Sequence, residues 1–306
     1  MKHPYRITTF FLIFFLLIHA IGLFFTSVEA QKEVSPILDA PQPVSGAWSI
    51  PYLLLGVGIG TGIILLLAKY GKTGIWKGWF TTATALAITY GVATVIPDIY
   101  AIILGITLAL LRLLKPSFIT HNVAELFMYG GIALILTPLF TPITALILFA
   151  IMSVYDAYAV WKSKHMITLA EFTKKANTFP GLSLSYNTTP EHTPRNLPNQ
   201  KQKTKNPSTN NKITTKNKET QNTISTGVLG GGDILFPLLL ANTVYLSLIP
   251  TYTPIQTFLL SYGVSIAAST GLAYLFLKPS TAKYHPALPY IFIPVLTYTT
   301  TLLIIT

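Results

Sequence analysis

Residues 227–249 read Gly-Val-Leu-Gly-Gly-Gly-Asp-Ile-Leu-Phe-Pro-Leu-Leu-Leu-Ala-Asn-Thr-Val-Tyr-Leu-Ser-Leu-Ile, an apolar run broken near its start by three glycines and one acid, Asp233. A helix of about 20 apolar residues crosses a bilayer. An acid near the centre of such a helix costs about 2.5–3.5 kcal/mol to insert. A second acid, Asp156, lies in the preceding apolar run, Ile143 to Trp161. Residues this expensive to place in lipid are kept mainly when they do work.

Working outward, 51% of the 306 residues are apolar and 10% are charged, against about 25% charged in a soluble domain. The chain reads as an all-α polytopic membrane protein. Nine segments are long and apolar enough to span: 7–26, 49–68, 78–97, 99–114, 123–140, 142–161, 228–249, 255–277 and 286–306. Pro138 and Pro142 bracket one tight turn, and Pro250 and Pro254 another. The organisation is spans one to five over 1–141, the sixth over 142–161, a polar loop over 162–226, and the last three over 227–306. In that loop Met166, Leu169 and Phe172 have the spacing of a short helix on the membrane surface. The stretch from Ser185 to Thr226, rich in Asn, Thr, Lys and Pro, reads as disordered. The glycines Gly56, Gly58, Gly60 and Gly62 read as a helix-packing face.

If nine spans alternate, all but Lys32 of the 21 lysines and arginines fall on one side. The positive-inside rule then puts the N-terminus in the cytoplasm and the C-terminus outside. Lys2, Arg6 and the Val28-Glu29-Ala30 stretch also fit a cleaved leader, which would leave the later topology unchanged. The net charge of +11 is read as topology and attraction to the lipid leaflet, not as nucleic-acid binding. There are no cysteines, which excludes disulfides and thiolate chemistry. His165, His192 and His285 lack metal spacing, and no metal or other cofactor is expected. His19 is read as a hydrogen-bonded packing residue, Glu125 as interfacial, and Arg112 as a side chain that snorkels to the surface.

Asp156 lies six residues before Lys162 and Asp233 six residues after Gly227, which puts both about 9 Å deep at 1.5 Å per residue. Consecutive spans run antiparallel, so the two carboxyl groups are expected to meet. Two close carboxylates in a low-dielectric site hold one proton between them. The ionised one takes a proton from water while the other donates to a carbonyl, the division of labour of aspartic proteases. A proton- or cation-coupled transporter is the alternative; it should carry inverted repeats, which the single off-centre loop does not suggest.

Three pieces together resemble the presenilin and signal-peptide-peptidase family of intramembrane aspartyl proteases: Tyr155-Asp156 in the sixth span, Gly230-Gly231-Gly232-Asp233 in the seventh, and Pro286-Ala287-Leu288 in the ninth. Prepilin peptidases also use Gly-x-Gly-Asp, but lack Pro-Ala-Leu in a ninth span. The resemblance covers 142–306 well and the first five spans by count alone. It implies a presenilin-like bundle with Asp156 and Asp233 as the catalytic pair. It implies that Gly230 and Gly232 shape the site, and that Pro286, Ala287 and Leu288 line it and hold substrate. Tyr155 reads as a packing residue, with contact to substrate beside the site as the alternative. It also implies transmembrane-helix substrates in the lipid bilayer. The cytosolic loop matches the presenilin-like orientation, which prefers substrates with their N-terminus outside. Asp233-Ile234 followed by Pro237 looks more like the peptidase branch, a mixture expected of a microbial homologue. Partner subunits are unspecified. The loop reads as a plain disordered tether; its apolar patch Phe179–Leu182 leaves open the alternative that it covers the site or is cut on activation.

Overall fold

The computed structural model describes residues 5–33, 35, 37–38, 46–163, 172–173, 176, 178–188, 223–278 and 285–305. Among them are nine α-helices: α1 (Tyr5–Glu29), α2 (Ser49–Lys69), α3 (Thr73–Val92), α4 (Asp98–Leu114), α5 (Phe118–Leu136), α6 (Pro142–Tyr158), α7 (Gly231–Leu248), α8 (Pro254–Leu277) and α9 (Leu288–Ile305). Two strands, β1 (Gly181–Thr188) and β2 (Thr223–Gly230), form a two-stranded sheet. Seven of the helices are long and apolar enough to cross a membrane. The other two are α4, which has 17 residues, and α3, whose apolar character is diluted by Lys77 and its threonines. By internal contacts the chain divides into a helical unit, 1–183 with 228–306, and a small unit, 184–227.

Helix starts follow local chemistry. Thr141 caps α6 and Thr253 caps α8, each in a reciprocal capping box with a proline in the first turn. Such caps satisfy orphan N–H groups and contribute about 1 kcal/mol each. Ser117 and Thr120 do the same for α5. The two turns expected at Pro142 and Pro254 are therefore present, and each proline opens its helix.

The centre of the helical unit is α7, buried almost continuously from Phe236 to Tyr245. It is surrounded by α1, α5, α6, α8 and α9. Lipid offers helices no hydrophobic drive to associate, so close approach through small residues matters more than in water. Gly131 of α5 illustrates this: a Cβ there would sit on the Ala87 carbonyl of α3 and 3.3 Å from the Gly91 nitrogen. His19 is fully buried in α1 with Nδ1 2.7 Å from the Phe15 carbonyl oxygen, the packing role expected of it.

Several expectations are overturned. The third helix starts at Thr73, five residues earlier than the apolar run suggests, and Lys77 lies inside it. Among the described residues the glycines of α2 meet no neighbouring element: no atom beyond their own stretch of helix lies within 4 Å of a Cβ built at Gly56, Gly58, Gly60 or Gly62. Only Ser49 of α2 is buried. Ser185–Thr188 and Thr223–Thr226, read as disordered, lie in strands that pair with each other. Of the expected surface helix, Met166 and Leu169 lie outside the described residues. Phe172 is not on a surface but buried beside Trp76, with ring centroids 6.3 Å apart.

Gly131→Ala is expected to lower thermal stability in detergent by about 1–3 kcal/mol, the usual scale of overpacking a tight contact. Gly56→Ala in the open stripe of α2 should leave it within about 0.5 kcal/mol. Equal melting temperatures for the two variants would contradict the packing described.

Candidate functional site

Asp156 is the third residue from the end of α6 and is 8% exposed. The apolar face that precedes it, with Phe149 and Met152 also buried, turns it into the bundle. Its Oδ2 accepts a hydrogen bond from the Leu288 N–H at 3.3 Å, and the Ala287 N–H faces the same carboxyl group. These are first-turn N–H groups of α9, which have no partner within their own helix. A helix N-terminus also carries partial positive charge. Asp156 thus closes the end of α9 and is oriented by it.

Pro286, Ala287 and Leu288 are all buried. The helix α9 begins within this segment, at Leu288. The Ala287 carbonyl accepts from Tyr290 N at 3.1 Å and Ile291 N at 3.2 Å. It is the N–H groups of this segment, not its carbonyls, that turn toward the aspartate.

Asp233 is the third residue of α7, and its partial exposure contrasts with the buried Asp156. The expected depth of six helical residues is not reached, because 227–230 belong to β2. Glycines propagate a helix poorly, and Gly230 is extended at φ −66°, ψ 149°. The Asp233 carboxyl group turns back toward Gly230, the residue that precedes the helix. A Cβ at Gly230 would lie 3.1 Å from Asp233 Oδ2, so a side chain there would press on the acid. At Gly231 the space is filled by the Tyr129 hydroxyl of α5. At Gly232 a Cβ would meet only the Phe236 ring, at an ordinary 3.5 Å. The close contacts therefore involve Gly230 and Gly231 rather than Gly232.

Asp156 and Asp233 lie within electrostatic reach of each other. One layer toward the middle of the helices, Phe149 of α6 stacks with Phe236 of α7 at 6.3 Å and meets Phe292 of α9 edge-on at 5.3 Å. Such pairs contribute about 0.5–1.5 kcal/mol each and tie the three helices together next to the acids. Tyr155 is 38% exposed and points away from the buried face that carries its neighbour.

The sequence reading missed a polar cluster on α4 and α5. Arg112 is buried, not snorkelling, and Glu125 is fully buried, not interfacial. Arg112 Nη2 and Glu125 Oε1 form a salt bridge, and the guanidinium lies 4.6 Å from the Phe80 ring centroid. Arg112 also donates to the Phe179 carbonyl at 2.9 Å. The Gly181 N–H donates to Glu125 Oε2 at 3.1 Å. His121 Nε2 donates to the Gly181 carbonyl at 2.7 Å, and Asn122 brackets Ser183 with bonds of 3.1 and 3.3 Å. His121, Glu125 and Tyr129 recur every four residues, the spacing of one helix face. The patch Phe179–Leu182 is held here, with Leu182 fully buried.

The family model described as signal-peptide peptidase, presenilin aspartyl protease matches residues 9–298. The solved structures similar to this chain include a presenilin family intramembrane aspartate protease in two crystal forms. One, in space group C222, is 16% identical with a TM-score of 0.59, covering 96% of this chain and 99% of that one. The other, in space group P2, is also 16% identical with a TM-score of 0.59, covering 97% of each. Compared with curated proteins by sequence, the chain has no significant match.

Asp156→Asn keeps an acceptor oxygen for the N–H groups of Ala287 and Leu288, whereas Asp156→Leu leaves them unpaired. The leucine variant should be about 1–3 kcal/mol less stable than the asparagine variant, measured as melting temperature in detergent. A leucine variant as stable as the asparagine variant would contradict the capping of α9 by this side chain.

Proposed function

We propose, for a chain that belongs to the signal-peptide-peptidase and presenilin family of aspartyl proteases, that Asp156 and Asp233 together activate the water that cleaves the substrate. The protein is a multi-pass membrane protein and an intramembrane endopeptidase acting on transmembrane helices in the lipid bilayer, and family membership sets the transporter alternative aside. The observation that carries the residue assignment is the pair of backbone N–H groups aiming Asp156 at a site within electrostatic reach of Asp233. The carboxylate that is ionised takes a proton from water, and the protonated one donates to the carbonyl under attack. The partial exposure of Asp233 supports a route by which water arrives.

A helical substrate hides its peptide bonds in its own hydrogen-bond ladder, so it must unwind locally before it is cut. The extended backbone of β2 ends at Gly230, three residues before Asp233. That favours pairing of an unwound substrate segment by strand addition, with Gly230 and Gly232 leaving room for it. The buried Pro286-Ala287-Leu288 segment supports the opposite wall, and Tyr155 flanks the entrance. The asymmetry of lysine and arginine supports a cytoplasmic N-terminus and an outside C-terminus, hence substrates whose N-terminus is outside. Cutting within the loop is not favoured at Phe179–Leu182, where Leu182 is fully buried.

Asp156→Asn and Asp233→Asn should each lower cleavage of a single-span substrate in detergent by at least about 10²–10⁴-fold, the scale of lost acid–base catalysis, with melting temperatures near wild type. Near wild-type cleavage by either folded variant would remove that residue from the mechanism.

A further inference from the structure

Gly181 and Ser183 are two residues apart in β1, so both turn their N–H and C=O groups to the same edge of the strand. All four of those groups are taken by side chains of α5. Gly181 donates to Glu125 and accepts from His121; Ser183 donates to Asn122 Oδ1 and accepts from Asn122 Nδ2. One face of α5 thus serves as a third strand. β1 lies between α5 and β2, and among the described residues no further strand pairs with the outer edge of β2.

The contacts run on to the acids. A Cβ at Gly181 would sit on the Leu229 carbonyl, and Gly181 has φ +137°, a region only glycine adopts without strain. The base of β1 is therefore seated directly on the end of β2. The next residue of β2, Gly230, lies against the acid: a Cβ there would be 3.1 Å from Asp233 Oδ2. Arg112 holds Glu125 from behind and also binds the Phe179 carbonyl just before the strand.

We propose that His121, Asn122 and Glu125, backed by Arg112, are positioning residues that set which peptide bond of the substrate reaches the aspartates. The proposal rests on the reading that substrate pairs with β2. A strand slipped by one residue turns every side chain to the opposite face, so any device that fixes β2 against Asp233 fixes the cut. A buried ion pair is often no more stabilising than well-packed apolar residues. Its directional bonds to Phe179 and Gly181 are what an apolar pair cannot supply.

The test maps the cut sites in a single-span substrate by mass spectrometry of the products, using full-length protein in detergent. Wild type should give one dominant cut. In Asn122→Ala and in the double variant Arg112→Met/Glu125→Leu, cuts displaced by one or more residues should rise about tenfold relative to the principal cut. That is the scale of one or two net hydrogen bonds lost. Glu125→Gln keeps an acceptor for the Gly181 N–H and should restore the single cut. Gly131→Ala, destabilised at a remote contact, should be slower or less stable yet cut at the same bond. The two clamp variants are independent, so if one does not fold the other is read. An unchanged single cut in a folded clamp variant, whatever its rate, overturns the proposal. Equal scatter in Gly131→Ala also overturns it, since general loosening would then account for the effect. Cleavage that survives Asp156→Asn and Asp233→Asn would instead overturn the underlying assignment, a separate outcome.

Discussion

The site depends on how a carboxylate can be kept inside a protein that lies in lipid. Asp156 is 8% exposed, and an unpaired acid there would be very costly. The first-turn N–H groups of α9 are costly to bury for the same reason, since no residue of their own helix can accept from them. Each problem is the other's solution. Leu288 donates to Asp156, with the Ala287 N–H facing the same carboxyl group, which fixes the end of α6 against the start of α9. The aromatic contacts of Phe149 with Phe236 and Phe292 bind the same helices one layer further in.

Asp233 is held by different means. Its helix begins only two residues earlier, at Gly231, and its carboxyl group folds back against Gly230. The strand that delivers it is anchored through β1 to a polar face of α5. Asp233 thus stands in the first turn of α7, while Asp156 lies near the end of α6, whose backbone runs on as a π-helix to Ser163, and takes its N–H partner from the start of α9.

Much of this was legible in the sequence because lipid makes polar residues conspicuous. Asp156 and Asp233 stand out from apolar runs, and Thr141-Pro142 and Thr253-Pro254 mark helix starts by local capping alone. Where partners are distant in sequence, the reading failed. Arg112 and Glu125 each look like surface residues near a span's end; only the fold brings them together, with the backbone of residues 179–181 as the further partner. The strands were missed because polar, threonine-rich segments such as 223–226 give no apolar alternation, and their order comes from pairing. The glycine run of α2 and the motif glycines look alike in sequence. Only contacts distinguish Gly230, which faces a carboxylate, from Gly58, which meets no neighbouring element among the described residues.

The most direct measurement is an experimental structure of the protein bound to a peptide whose scissile bond is replaced by hydroxyethylene, a mimic of the tetrahedral intermediate. The hydroxyl should lie within hydrogen-bond distance of both the Asp156 and Asp233 carboxyl groups, with the peptide backbone extended alongside β2. A bound hydroxyl that reaches neither acid, with the carboxyl groups held apart by packed side chains, would contradict the account.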